Sequence, residues 1–398
     1  MSKDSSRYSP LLLALTFVAY VALGLPDALI GVAWPAIRAD FELPLSALGP
    51  LYIATTIGYV IASSATGEIL DRMSMGTLLA VSCAVTGIAL FGYTLAPSWA
   101  VVVAFGLVTG FGGGAIDAAI NTHAAVQYST RLVNVLHAFW GVGAALGPAL
   151  MTATLVRGYD WRIGYWIVVA FEIALALAFV ATRRRWPPPI VHHPDRRSVR
   201  LVETLRLGRV QLSLLVFLIY TGCEAAAGAW VFSLFYEARD FATSSAGVAV
   251  SLYWCGLFGS RLGYAFLPPR TRPDAVVAAS IVAALAGMLL VALGFHPFVD
   301  IFAIALVGFA SGPIFPCMIA MTPRRLGELH TANAVGAQVS MAAVGLAVFP
   351  ALCGLLAQRF HLESIPMFLA GCWAVLLVIY GTLERLGHSG ASVLQESR

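Results

Sequence analysis

GFGGGAIDAAIN, residues 110–121, sets one carboxylate, Asp117, inside a helix that is otherwise apolar. At about 100° per residue, Gly110, Gly113, Gly114, Asp117 and Asn121 fall on one face, so the small residues that let another helix approach also frame the acid. That face therefore points at protein and not at lipid. A shift of 198 residues brings the pattern back: GFASGPIFP from Gly308 keeps the Gly, Phe, Gly and Ile positions and puts Phe315 where Asp117 stood. Two more pairs repeat at nearly the same distance. Asp27-Ala-x-x-Gly31 followed by Trp34 matches Glu224-Ala-x-x-Gly228 followed by Trp230 at an offset of 197, and Gly143-x4-Pro148-Ala-Leu matches Gly345-x4-Pro350-Ala-Leu at 202. Three offsets in order, each near half of 398 residues, mark a duplicated unit.

The composition sets the class. With 59% hydrophobic and 11% charged residues the chain lies outside the range of soluble globules, where charged residues are about a quarter. Apolar runs predict twelve spans, at roughly 10–34, 46–68, 76–96, 98–125, 132–156, 162–182, 210–237, 244–266, 274–295, 298–322, 332–357 and 364–386. With both ends cytoplasmic, the inner ends and loops hold 19 Lys or Arg, while the outer side holds five: Arg38, Arg157, Arg162, Arg239 and Arg359. The positive-inside rule fixes that orientation, and the net charge of +4 reflects topology, not nucleic-acid binding. The first apolar run is long enough to span and is followed by no small-residue cleavage site, so a retained first span is expected. The six cysteines show no Cys-x-x-Cys spacing, and neither a disulfide framework nor a zinc site is indicated.

Two acids stand out within the spans. Gly24, Asp27, Gly31 and Trp34 share a face of span 1, and Pro26 removes a backbone donor just before the acid. A buried carboxylate is costly in a membrane. It either faces a wet cavity and titrates, or serves as a structural bond to a neighbouring helix. In span 5, Asn134, His137 and Gly141 share a face with Trp140 alongside. His137 can bond a hydroxyl or take a proton, and a packing histidine satisfied by Asn121 or Asn134 is the alternative. In the second half, Glu224, Trp230, Tyr253 and Gln338 are expected to line the same path. Span 10 carries Pro313 and Pro316 and is expected to kink or break. Spans 3, 6, 9 and 12 read as scaffold. No lysine or arginine is expected near mid-span, which argues against an anionic substrate.

Gly67-x3-Asp71-Arg72 in the loop between spans 2 and 3, together with twelve spans in two halves, resembles the major facilitator superfamily over the whole chain. The resemblance implies an all-α membrane protein: twelve transmembrane helices in two pseudo-symmetric six-helix halves, residues 1–182 and 210–398, joined by a cytoplasmic basic linker at 183–209. It also implies that Gly67, Asp71 and Arg72 pin an inner gate, with Arg261 of span 8 as a counterpart. Ser74, Met75 and Gly76 depart from the family's Gly and two bases, which suggests a weaker latch. Gly106 stands where the family's span 4 often has Arg, so no proton role passes to it. The acids at Asp27 and Asp117 with Asn134-x2-His137-x-Phe139 resemble the fucose–proton symporter branch. Gly143-x3-Gly147-Pro148 resembles half of the antiporter signature of drug exporters.

No catalytic triad, phosphate-cradling loop or metal spacing is present, so the chain is not expected to be an enzyme or to hold a cofactor, and His192 and His193 lack a third ligand. The function expected is proton-coupled symport of a neutral hydroxylated, sugar-like small solute, with Asp27, Asp117, His137 and Glu224 carrying protons. Trp34, Asn121, Asn134, Trp140, Trp230, Tyr253 and Gln338 are the expected substrate contacts. Proton-coupled export of amphipathic or cationic compounds is the alternative. The expected partners are a small-molecule substrate, protons and membrane lipid, with no nucleic acid, for a monomer in the plasma (bacterial inner) membrane.

Overall fold

The computed structural model describes residues 9–128, 130–186, 199–264, 266–268 and 271–396, and it is all-α over them. In the first half α1 is Pro10–Asp40, α2 Leu48–Arg72, α3 Met75–Leu95, α4 Trp99–Gln127, α5 Thr130–Val156 and α6 Trp161–Thr182. In the second half α7 is Gly208–Ser233, α8 Thr243–Tyr264 and α9 Pro273–Leu293. There α10 comes in two pieces, Pro297–Ser311 and Ile314–Leu326, before α11 at Glu328–Arg359 and α12 at Ser364–Glu396. These are the twelve transmembrane helices of two six-helix halves. Among the described residues eleven helices are long and apolar enough to span by that measure alone. The remaining one, α8, falls on the expected span 244–266 but is diluted by Ser244, Ser245, Ser251, Ser260 and Arg261.

The chain divides into two compact units, residues 1–192 with 242–251, and residues 193–241 with 252–398. Within the first, α1 packs on α5, α2 on α4, and α3 on both α4 and α6. Within the second, α7 packs on α11, and α9 on α10 and α12. The expected linker at 183–209 is only partly described. Residues 187–198, with His192 and His193, lie outside the described residues, while Leu201–Leu205 form a short helix. That helix docks on α11, where Thr204 Oγ1 lies 2.9 Å from His330 Nδ1 and Asn333 Nδ2 donates to the Val199 carbonyl at 2.8 Å.

The duplication read from glycines is a duplication of backbone contacts. A Cβ on Gly110 would lie 1.9 Å from the Thr55 carbonyl oxygen, and one on Gly308 would lie 2.0 Å from that of Tyr253. Both residues of the second pair are shifted by 198 from the first. The α1–α5 contact repeats in the same way: Gly143 would meet the Val21 carbonyl at 2.1 Å and Gly345 the Leu218 carbonyl at 2.4 Å. Small residues here let backbones touch, which is how helices gain packing where lipid gives no hydrophobic drive. The halves diverge where sizes are exchanged. Gly147 of α5 sits on the Leu25 backbone, whereas Gly222, which stands at Leu25's place in the repeat, sits under the ring of Phe349.

Each half is also tied at one end by a guanidinium. Arg162 binds Asp40 at 2.7 Å and donates to the Thr94 carbonyl at 3.2 Å, joining the ends of α1, α3 and α6. Arg239, just past α7, binds Asp300 at 2.8 Å and Glu363 at 2.6 Å and donates to the Val291 carbonyl at 2.7 Å. The base stands on the sixth helix in one half and after the first helix in the other; its partner Glu363 lies just before the sixth helix, and Asp300 of α10 has Val102 at its place in the first half.

Candidate functional site

In the first half the hydrogen-bond chain starts at Asp117. Its Oδ2 accepts a bond from the Tyr59 hydroxyl of α2, and Asn121 Nδ2 donates to Oδ1 at 2.9 Å from one turn along α4. The amide oxygen of Asn121 accepts in turn from Tyr20 of α1 at 2.8 Å, and the Tyr20 ring meets His137 of α5 edge-on at 5.1 Å. Four helices thus converge on one carboxylate through phenols, an amide and an imidazole. The second acid, Asp27, is exposed although Gly24, Leu25, Ala28 and Leu29 around it are buried, and the Trp140 indole donates to it at 3.3 Å. Among the described residues no lysine or arginine reaches either carboxylate within ion-pair distance. Both acids are therefore held by neutral donors, an arrangement that tolerates either protonation state.

The second half answers differently. Glu224 is buried on α7, accepts from the Tyr220 hydroxyl, and is paired with Arg261 of α8, whose Nη2 lies 3.3 Å from Oε2 and 3.4 Å from Oε1. The same Nη2 donates to the Tyr220 hydroxyl at 3.2 Å, and Arg261 Nε donates to the Gly312 carbonyl at 3.1 Å. Tyr253 donates its hydroxyl to the Glu224 backbone carbonyl at 2.8 Å. Phe315 occupies the place of Asp117 and packs its ring on Phe217 at 5.2 Å. Around these sites, Asp27 and Asp117 of the first half have no arginine or lysine partner among the described residues, whereas Glu224 of the second half has Arg261.

Several expectations are corrected here. Arg261 lies beside Glu224 and the Gly312 carbonyl, so one guanidinium does sit within the spans and the premise against anionic substrates falls. Trp34 and Trp230 are both 0% exposed. The Trp34 ring packs on Trp99 at 5.3 Å, and Trp230 Nε1 donates to the Pro350 carbonyl at 2.9 Å, so each is packed inside its own half in this structure. Gln338 is also interior. It donates to Ser213 Oγ at 2.7 Å and accepts from Thr322 at 3.1 Å, tying α7, α10 and α11. Tyr253 is fully buried and holds the Glu224 backbone. Gly67, Asp71 and Arg72 are exposed in the last turns of α2, and neither Asp71 nor Arg72 holds an ion pair among the described residues. Ser74 caps α3, accepting from the Thr77 amide at 3.3 Å. The side chain of Asn134 lies outside the described residues.

Tyr20, Tyr59 and Tyr220 went unnoticed in the sequence. Tyr220 is one turn before Glu224 on the same helix, so helical spacing alone could have found it, whereas Tyr20 bonds Asn121 across two helices. The partner of Asp117 on α2 has no such signal, because the register between helices is not written in either one. Glu172 of α6 was also missed: it is buried, with its side chain against Gly87 of α3, so a helix read as scaffold carries an interior acid.

The family model for the Major Facilitator Superfamily matches residues 16–350. The chain is similar to Bypass of stop codon protein 6 of Saccharomyces cerevisiae, 23% identical, with 92% of this chain and 80% of that one covered. It is similar over a shorter region to the 4-hydroxybenzoate transporter PcaK of Acinetobacter baylyi, 27% identical over 39% of this chain and 35% of that one. Among solved structures, the nucleoside transporter NupG has a TM-score of 0.78 at 14% identity, with 94% and 99% of the two chains covered. The E. coli fucose:proton symporter FucP has a TM-score of 0.63 at 16% identity, with 94% and 98% covered. Those two likenesses concern the fold. With the family model spanning most of its length, and with two halves built on the same backbone contacts, this chain belongs to the Major Facilitator Superfamily and is a transporter, not an enzyme.

Proposed function

We propose that the protein is a proton-coupled symporter for a small hydroxylated, sugar-like solute, working by alternating access as a monomer in the plasma membrane with both termini cytoplasmic. The observation that carries the reading is the first-half chain Tyr59–Asp117–Asn121–Tyr20, a carboxylate ringed by hydroxyl and amide groups with no fixed cation. A carboxylate in that setting binds a proton without losing its partners, and the phenols and amide that hold it are the groups a hydroxylated solute bonds. Asp27 under the Trp140 indole supplies a second proton station beside an aromatic plate. The test is uptake into proteoliposomes. Radiolabelled sugars and polyols, first ranked by thermal shift, accumulate above equilibrium when a proton gradient is imposed and only equilibrate when it is collapsed.

Arg261 favours a second reading, a hydroxylated organic acid carried with protons, because a guanidinium is the natural fork for a carboxylate. PcaK, named as a 4-hydroxybenzoate transporter, is a relative over part of the chain. Competition between a neutral polyol and a hydroxy acid for uptake separates the two readings. For the exporter alternative, the half-signature glycines Gly143 and Gly147 have another use, since both lie against the α1 backbone.

A further inference from the structure

We propose that Arg261 is a positioning residue that ties the charge on Glu224 to the break in α10; the inference goes beyond the coupling reading above and does not rest on Asp117 or Asp27. The helix α4 runs unbroken from Trp99 to Gln127, while its repeat α10 stops at Ser311 and resumes at Ile314. Two of the differences bear on the backbone: Ala115 and Ala118 of α4 are Pro313 and Pro316 in α10, each shifted by 198. A proline has no amide hydrogen, so Pro316 leaves the Gly312 carbonyl without its helical donor. An orphan carbonyl within a membrane span needs a partner from elsewhere. Arg261 supplies it, with Nε 3.1 Å from that oxygen. The repeat marks this as a substitution of function: Ser63, at the place of Arg261 in the first half, donates its hydroxyl to the Gly114 carbonyl at 3.2 Å, where the helix is intact.

The other end of the same guanidinium is on Glu224 and Tyr220. The titratable and charged groups around Glu224 are Tyr220 and Cys223 of α7, Tyr253 and Arg261 of α8, with Cys353 of α11 and Cys372 of α12 beyond Cys223. Arg261 is the one cation among them. While Glu224 is ionised, charge-assisted bonds hold the guanidinium, and through Nε it holds the broken segment of α10. When Glu224 becomes neutral those bonds weaken to ordinary ones, the guanidinium is free to swing, and the backbone at Gly312–Ile314 loses its brace.

Cys317, next to Pro316 and fully buried, reports on that brace, and Cys83, buried in the first half, reports on general loosening. The experiment is the rate of alkylation of each thiol by N-ethylmaleimide in the purified full-length protein, read by peptide mass spectrometry. Glu224→Gln is expected to raise the Cys317 rate severalfold and leave Cys83 unchanged. Arg261→Gln raises it to the same level, and the double variant goes no higher than either single one. Pro316→Ala, which returns an amide hydrogen to the Gly312 carbonyl, brings the rate in the Glu224→Gln background back toward wild type. A Cys317 rate unchanged in Glu224→Gln, a parallel rise at Cys83, or additive effects in the double variant would each overturn the proposal. Asp117→Asn, which tests proton-driven accumulation, leaves the Cys317 rate at the wild-type value, so the two ideas fail separately.

Discussion

Glu224 and Trp230 stand six residues apart on α7, and the environment gives them different work. Glu224 keeps a charged partner and a phenol within reach, while Trp230 has its indole hydrogen used by the Pro350 carbonyl and no exposed atom. Trp230→Ala is therefore expected to cost about 3–5 kcal/mol of stability, the scale for deleting a buried aromatic, with solute affinity unchanged in the protein that remains folded. A denaturation curve with a binding isotherm checks it; lost affinity at full stability would return Trp230 to the path. At Asp27 the expected effect is on transport. Asp27→Asn keeps an acceptor for Trp140 but cannot titrate, so uphill uptake falls while the melting temperature holds, and a collapse of stability with intact coupling would make Asp27 a structural bond.

At the level of helices, much was legible in the sequence. The offsets between Gly110 and Gly308 and between Gly143 and Gly345 mark where backbones touch, because only glycine lets a neighbouring carbonyl within 1.9–2.4 Å of the missing Cβ. The break in α10 followed from Pro313 and Pro316. The pairings that make the site did not follow, since Tyr59 reaches Asp117, and Arg261 reaches Glu224, by helix-to-helix register. The burial of Trp34 and Trp230 was not legible either, because an aromatic after an acid looks the same in a core as beside a path. The exchange of Gly147 for Phe349 across the repeat was invisible for a related reason: size is compensated between helices, not along them. Gly222→Ala should destabilise the second half by about 1–3 kcal/mol through overpacking against the Phe349 ring, and Phe349→Leu should recover most of it. Additive losses in that double variant would show that the ring is not the obstacle. Arg239→Ala, which strands the buried Asp300, is expected to cost about 3–5 kcal/mol, measured by thermal unfolding, and a near-neutral result would mean that the clamp carries no stability.

For the whole molecule, the asymmetry between halves is the functional statement. One half holds Asp27 and Asp117 with neutral donors, and the other neutralises Glu224 with Arg261. Moving Arg261 from the inner ends to an internal pair leaves 18 basic residues on the expected cytoplasmic side against five outside, so the orientation argument survives. A cysteine placed among residues 187–198 should resist a membrane-impermeant thiol reagent in intact cells and react after lysis; ready labelling in intact cells would invert the topology. The most direct measurement concerns Asp117 itself. In proteoliposomes Asp117→Asn is expected to lose accumulation of the solute against its gradient under an imposed proton gradient, while downhill exchange of the same solute continues. Accumulation equal to wild type in that variant would contradict the account, because a side chain that cannot take a proton would be driving the work assigned to one that can.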